Sequence, residues 1–472
     1  MIVDSDPLAS ATRRRPETIA ILDRRNDCEH TYATLNRLAD RIAMGLVRRD
    51  VGQGDRVVLL GEHGADTVAM VHGIWRAGAT VVPIDPSLAS DRREDRIGRI
   101  NPQLVATTGL SVATANYVAV DELTADSPVS NRHRQHPDEE ACIIFTSGTT
   151  GTARAVRLTV GNVQASASSS ASRLGIEPTD RWFVPLAPYH MGGFAPIVRC
   201  ALAGIGLVIA PFDQTTLTSL VQETAVSVAS VVPTMVRRDI EATGALSNLR
   251  VVLVGGDRTP PALVTSALAA DVPLYVSYGM TEAASQIATA PPTRLETDPH
   301  TVGRPLRFTS ITIDEDSSPD RDGEIVVTGP TISPGYLDQT EIDRFPASQS
   351  LRTGDTGRIE DGWVYVTGRI DDRIISGGVT VDPTHVADVI RDQSGIRDAA
   401  VVGIADTEWG QQVCALIEGG EMEANALDTV LEDRLSAAER PRRIEWTDQL
   451  PRTPSGTVDR TTVRARFDEQ SD

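Results

Sequence analysis

Short apolar runs recur along the first three hundred residues, each followed by a stretch with helical spacing. Arg56-Val-Val-Leu-Leu60 predicts a strand, Ala65 to Ala77 a helix, and Ala79-Thr-Val-Val-Pro83 a second strand. The rhythm continues with Cys142-Ile-Ile-Phe145, Leu207-Val-Ile-Ala210, Val228 to Val232, Val251-Val-Leu-Val254 and Leu274-Tyr-Val276. Such alternation predicts α/β layers with parallel strands. From about Gly303 the texture changes to shorter strands with turns, at Ser310 to Asp314, Gly323 to Thr328 and Trp363 to Thr367. After Arg369 the pattern reads as a compact α+β tail that opens on Asp371-Asp372. The expected division is a large N-terminal domain over 1–369, with α/β subdomains to about 302 and a β-rich subdomain over about 303–369. A C-terminal domain follows over 370–472. The small-residue run Ala165 to Ser172 predicts a helix packed closely on its neighbours, because strand patterns flank it.

Composition narrows the chemistry. Of 472 residues, 45 are basic and 65 acidic, for a net charge of −20, and every basic residue is arginine. If lysine supplied a tenth of basic positions, an empty draw of this size would have odds of roughly 0.01. The gap excludes Schiff-base and pyridoxal chemistry, the kinase lysine and the Walker A lysine. The charge argues against nucleic acid and against an anionic membrane surface. Self-repulsion of this size is screened at molar salt, where the Debye length is about 3 Å, so the composition points to a salt-loving host. A GC-rich genome would also favour arginine, but leaves the acid excess unexplained. Cys28, Cys142, Cys200 and Cys414 are scattered without metal-ligand spacing and read as reduced thiols. The N-terminus lacks an apolar signal core, and the most apolar stretch, Phe194 to Phe212, is broken by Pro196, Arg199 and Pro211. A soluble, cytoplasmic protein without membrane insertion is expected.

Four segments carry chemistry. Thr146-Ser147-Gly148-Thr149-Thr150-Gly151 follows an apolar strand, and its hydroxyls and amides can wrap phosphate oxygens. Singly, it also reads as a polar strand-to-helix turn. Ser277-Tyr278-Gly279-Met280-Thr281-Glu282, again after a strand, offers an aromatic face, hydroxyls and a carboxylate suited to Mg²⁺. In Thr353-Gly-Asp355 a carboxylate can accept from two ribose hydroxyls. The fourth is Gly368-Arg-Ile-Asp-Asp372 with Ile374-Ile-Ser-Gly-Gly378.

In this order and at these separations the segments resemble the adenylate-forming superfamily of acyl-CoA synthetases, luciferases and peptide-synthetase adenylation domains. Further matching segments extend over nearly the whole chain, from Thr31-Tyr-Ala-Thr-Leu35 to Leu450-Pro-Arg-Thr-Pro-Ser-Gly456. The resemblance implies that Thr146 to Gly151 hold the β- and γ-phosphates of ATP. It places Gly256 and Asp257 beside adenine, with Tyr278 and Gly279 in the stacking segment. Thr281 is then the α-phosphate contact, Glu282 the Mg²⁺ ligand, Asp355 the ribose carboxylate and Arg369 its neighbour. Asp371 becomes the hinge of a mobile C-terminal lid, and Gly377 and Gly378 line the path of coenzyme A. The implied reaction joins a carboxylate to ATP as acyl-AMP, then transfers the acyl group to the CoA thiol. Partners are small molecules, with a homodimer possible.

Two lysines of that superfamily are missing. Arg154 stands where the first is expected and can hold phosphate oxygens. Thr457 stands where the second would bridge carboxylate and α-phosphate. Loss of such a donor typically costs about 3–4 kcal/mol, or ~10²–10³ in rate. Arg452 and Arg460 are near in sequence. Adenylation could otherwise be slow, or the chain could bind AMP and acyl-CoA without turning over. The run Ser277 to Gln286, with Asp406 and Trp409-Gly-Gln411, most resembles the 2-succinylbenzoate–CoA ligases of menaquinone biosynthesis. That implies a substrate pocket of His190, Ser277, Ser285 and Gln286, with Arg199 a candidate for the second carboxylate. His190 also reads as a capping or core histidine, and another aryl or medium-chain acid remains the alternative substrate.

Overall fold

The computed structural model describes residues 6–109, 117–125, 132–146, 153–314, 322–338, 342–420, 424–453 and 457–468. Among them are four sheets. A nine-stranded sheet runs in the order Arg304–Pro305, Ser285–Ala290, Leu274–Met280, Val251–Val254, Val228–Val231, Arg181–Val184, Gly206–Ile209, Ile19–Asp23 and Cys28–Thr31. Its interior pairs are parallel, while Ser285–Ala290 and Cys28–Thr31 run antiparallel at the two sides. A seven-stranded sheet has Thr80–Ile84, Arg56–Gly61 and Leu104–Thr108 as its parallel centre. Between the two sheets one apolar core gathers Leu35, Ile42, Val68, Ile74, Trp75 and Phe194 with inward residues of both. The helix Ala65–Ala77 is buried along nearly its whole length, its apolar residues interrupted by the buried polar pair His72 and Arg76.

Two segments differ from their expected settings. Strand Glu140–Thr146 pairs antiparallel with Arg154–Thr159, in register Thr146 to Arg154. The expected phosphate segment therefore connects two antiparallel strands rather than a strand and a helix, and Ser147, Gly148, Thr149, Thr150 and Gly151 lie outside the described residues. Ser277 to Met280 belong to the strand Leu274–Met280 rather than following it. Local alternation could not show either change, because a hydroxyl-rich turn and a strand end look alike without their partner strand. The run Ala165 to Ser172 does lie within a helix, Val160–Leu174. Ser166 and Ser169 reach the backbone of Ala284 and Arg307 at 2.6 and 2.7 Å, so the small side chains permit close approach.

A four-stranded antiparallel sheet comprises Ser310–Asp314, Gly323–Thr328, Ser350–Glu360 and Trp363–Arg369. The tail builds a five-stranded sheet around Ile396–Asp406 and Gly410–Gly419. Alternation along the former sends Ala399 and Val401 toward the helices Pro383–Arg391 and Ala424–Arg434. Ala400, Val402 and Ile404 face Val463 and Phe467 of the helix Arg460–Asp468. Among the described residues no helix is long and apolar enough to cross a membrane.

Candidate active site

The hairpin Leu274–Met280 to Ser285–Ala290 positions the central chemistry. Its register breaks between Tyr278 and Gly279. A Cβ on Gly279 would lie 1.9 Å from the Ser285 carbonyl oxygen, so this crossing admits only glycine. The chain then makes a 3₁₀ turn over Thr281–Ala283, with Ala284 left-handed at φ 52°. The turn buries the Glu282 side chain instead of leaving it on the surface.

Three expected nucleotide residues meet here. The Tyr278 hydroxyl donates to Asp355 Oδ2 at 2.7 Å, and Arg369 Nη1 donates to Oδ1 at 2.9 Å. Asp355 and Arg369 are register partners on adjacent strands, which explains the spacing of their motifs. Burial raises the Asp355 carboxyl above its ordinary value against the opposing pull of Arg369 and Tyr278. A carboxylate has roughly four lone-pair sites, so these two donors leave it capacity for ribose hydroxyls.

Glu282 forms a second cluster. Its Oε1 accepts from the Tyr336 hydroxyl at 2.7 Å and from Arg344 Nη1 at 3.3 Å. Arg344 Nη1 also donates to the Tyr336 oxygen at 2.6 Å, and Arg154 lies over the Tyr336 ring at 5.8 Å. Burial and the adjacent Glu282 charge push the Tyr336 phenol well up. Among the described residues no three His, Cys, Asp or Glu side chains form a metal cage. One buried carboxylate nevertheless fits Mg²⁺, which takes one or two carboxylates and completes its shell with substrate phosphates and water.

Among the expected acid-binding residues, Ser285 meets Arg199 from the helix Met191–Ala203. Its Nη2 donates to Ser285 Oγ at 2.9 Å, and its guanidinium lies 5.5 Å over the Trp182 ring. Arg199 is 2% exposed, and burial lowers its pKa to about 10. Among the described residues no carboxylate pairs with it. Gln286 donates to Thr289 Oγ1 at 2.9 Å, while its Oε1 has no hydrogen-bond partner among them. Ser277 makes only a long contact, 3.5 Å, to the Ala288 carbonyl. His190 occupies the N-cap position of Met191–Ala203 without making a side-chain cap, and its buried Nε2 is likewise unpartnered. Burial lowers its pKa.

The remaining expected residues are dispersed. Thr146 ends its strand with a buried, unpartnered hydroxyl. Gly256 takes φ 83° after the strand Val251–Val254, and Asp257 lies 3.8 Å from Arg452 of the tail. Arg452 also pairs with Asp398 at 2.5 Å, and Arg258 pairs with Asp388. Thr457 shares a 2.6 Å hydrogen bond with Thr453. Arg460 pairs with Asp372, beside the exposed Asp371. Gly377 and Gly378 form the left-handed two-residue turn of a hairpin, and the Gly377 amide donates to the Trp409 carbonyl at 2.9 Å. Sequence reasoning missed Arg344. Nothing in the residues around Arg344 marks it, and only folding brings it to Glu282.

Comparison with known proteins defines the class. The AMP-binding enzyme family matches residues 8–337, and the AMP-binding enzyme C-terminal domain matches residues 385–457. The chain belongs to the AMP-binding enzyme family. Within it, the chain is 30% identical to the 2-succinylbenzoate–CoA ligase of Bacillus licheniformis over 459 residues, covering 94% of this chain and 96% of that one. The fold matches that of o-succinylbenzoate CoA synthetase from Bacillus subtilis in complex with its acyl-adenylate intermediate. The TM-score is 0.89 at 28% identity, over 98% of both chains. The same enzyme with ATP and magnesium ion also gives 0.89 at 28% identity, over 98% of this chain and 99% of that one.

Proposed function

We propose that this chain is an ATP-dependent acid–CoA ligase whose acid is 2-succinylbenzoate. A carboxylate oxygen of the acid attacks the α-phosphorus of ATP, and pyrophosphate leaves. The CoA sulfur then attacks the acyl carbon, forming the thioester and releasing AMP. In this reading Tyr278, Asp355 and Arg369 seat the nucleoside, Thr281 contacts the α-phosphate, and Arg154 with the segment Thr146 to Gly151 holds the outer phosphates. Glu282 holds Mg²⁺, which neutralises phosphate charge when bound. Residues 370–472 swing about Asp371 between the two half-reactions, bringing Gly377 and Gly378 to the pantetheine arm.

Arg199 carries the choice of acid. A buried guanidinium without a carboxylate is costly unless a ligand completes it. Hydrogen-bonded to Ser285, close behind the nucleotide turn, it is a ready partner for the second carboxylate of a dicarboxylic acid. The net charge and missing lysines support a salt-rich cytoplasm as the setting.

The test is carboxylate-dependent pyrophosphate exchange at high salt with 2-succinylbenzoate, benzoates and fatty acids, followed by thioester formation with CoA. Preference for 2-succinylbenzoate is expected. Preference for a simple benzoate or a medium-chain acid would reassign the substrate. Folded protein with no exchange for any acid would make the chain an AMP- or acyl-CoA-binding relative. Thr457→Lys should raise the exchange rate, because it restores an ammonium to the tail.

A further inference from the structure

The three tail positions nearest the expected lysine are otherwise engaged. Thr457 is neutral and bonded to Thr453, Arg452 is engaged by Asp398, and Arg460 by Asp372. A cation is already fixed elsewhere. Arg344 closes the short 3₁₀ turn Ile342–Arg344, and two backbone carbonyls clamp its guanidinium. Nε donates to Arg352 O at 3.2 Å and Nη2 to Thr353 O at 2.8 Å. Thr353 lies just before Gly354 and Asp355, on the same strand. The third corner of the fork, Nη1, reaches Glu282 and Tyr336 at 3.3 and 2.6 Å. One planar group thus spans from the strand of the ribose carboxylate to the residue after Thr281. In any nucleotide the α-phosphate is bonded to the ribose, so a ribose seated on Asp355 holds it near this span.

We propose that Arg344 is the fixed cation that makes the α-phosphate position habitable. This rests on the reading of the site as an adenine-nucleotide site. Without Arg344, the buried Glu282 carboxylate would face an incoming phosphate as a second anion in a poorly solvated place. With it, Glu282 is neutralised before any metal arrives, and the Arg344 side chain, 16% exposed, is little screened by solvent. Because Arg344 sits outside the tail, its charge stays in place whichever half-reaction the tail serves. It is a positioning residue for Glu282 and a binding residue for phosphate.

The experiment compares AMP with adenosine by calorimetry, with EDTA present so that no metal contributes. Wild type should bind AMP more tightly than adenosine. Arg344→Gln should weaken AMP by roughly tenfold or more, the loss of a charge-assisted contact, while adenosine stays within about twofold. Arg344→Lys should return AMP to within a few fold of wild type. Adding Glu282→Gln to Arg344→Gln should recover AMP binding, because the repelling anion is gone. Equal losses for AMP and adenosine would show a merely structural arginine and overturn the proposal. So would unchanged AMP binding in Arg344→Gln, or an Arg344→Lys variant as weak as Arg344→Gln. Wild-type protein that binds neither ligand would instead overturn the nucleotide-site reading itself.

Discussion

At the scale of single residues, the carboxylate contact proposed for Arg199 is set against stability. Its lowered pKa still leaves it charged at neutral pH, so the fold carries an uncompensated buried cation. That destabilisation is fully present below about pH 10 and eases as pH rises through that value toward the ordinary arginine range. Arg199→Met should therefore stabilise the chain to urea by roughly 1 kcal/mol or more. The same variant should raise KM for 2-succinylbenzoate by about 10- to 100-fold, the loss of one charge-assisted contact of about 1.5–3 kcal/mol, while KM for a monocarboxylic acid changes little. A variant that lost stability and left KM unchanged would make Arg199 a structural residue only.

At the scale of elements, the crossing at Gly279 joins backbone geometry to chemistry. Gly279→Ala forces the two strands apart at the Ser285 carbonyl, moving Thr281 and Glu282 with the turn. Nucleotide binding should weaken by tenfold or more while far-UV circular dichroism stays unchanged, since a 1 Å misplacement at such a site can cost about 10² in rate. The N-terminal helix Pro7–Arg14 is fastened differently. Asp6 caps it through Leu8 N at 2.9 Å and pairs with Arg76 Nε at 2.5 Å, deep in the core. Burial alone would raise the Asp6 carboxyl, but Arg76 and His72 overcome it and hold the pKa well below the usual carboxylate range. A depressed folded pKa means that the stability it brings is complete above the ordinary Asp value, about 3.9, and is lost as pH falls through the folded one. Asp6→Asn keeps the cap but removes one of the two carboxylates on Arg76, leaving Asp40 at 2.9 Å, and should cost about 1.5–3 kcal/mol. Hydrogen exchange in Pro7–Arg14 and Ala65–Ala77 reads that loss, and unchanged protection would show that the pair contributes nothing.

At the scale of the whole molecule, charge and the placement of the tail work together. A net −20 repels itself in dilute buffer, so the unfolding midpoint should rise between about 0.1 and 2 M KCl as the Debye length shrinks from about 10 Å to under 3 Å. A midpoint that falls steadily over that range would contradict the halophilic reading. The cross-contacts Arg258 to Asp388 and Arg452 to Asp257 are partly exposed and should respond oppositely, loosening the tail as salt rises. Arg258→Ala should reproduce part of that loosening at low salt, read as faster proteolysis within 370–472.

The sequence by itself determined the layered α/β plan, the later β texture and the family, because apolar periodicity and short motifs are local. It also placed Tyr278, Asp355 and Arg369 in one nucleotide reading, and the structure joins those three by hydrogen bonds. Only the tertiary structure decided that Thr146 starts a hairpin loop, since a strand's partner is not written beside it. Only folding brought Arg199 to Ser285 and Arg344 to Glu282, 86 and 62 residues away along the chain. The missing lysines could be counted from composition alone. Where positive charge stands instead depends on which carbonyls and carboxylates surround a particular arginine, and that is a property of packing.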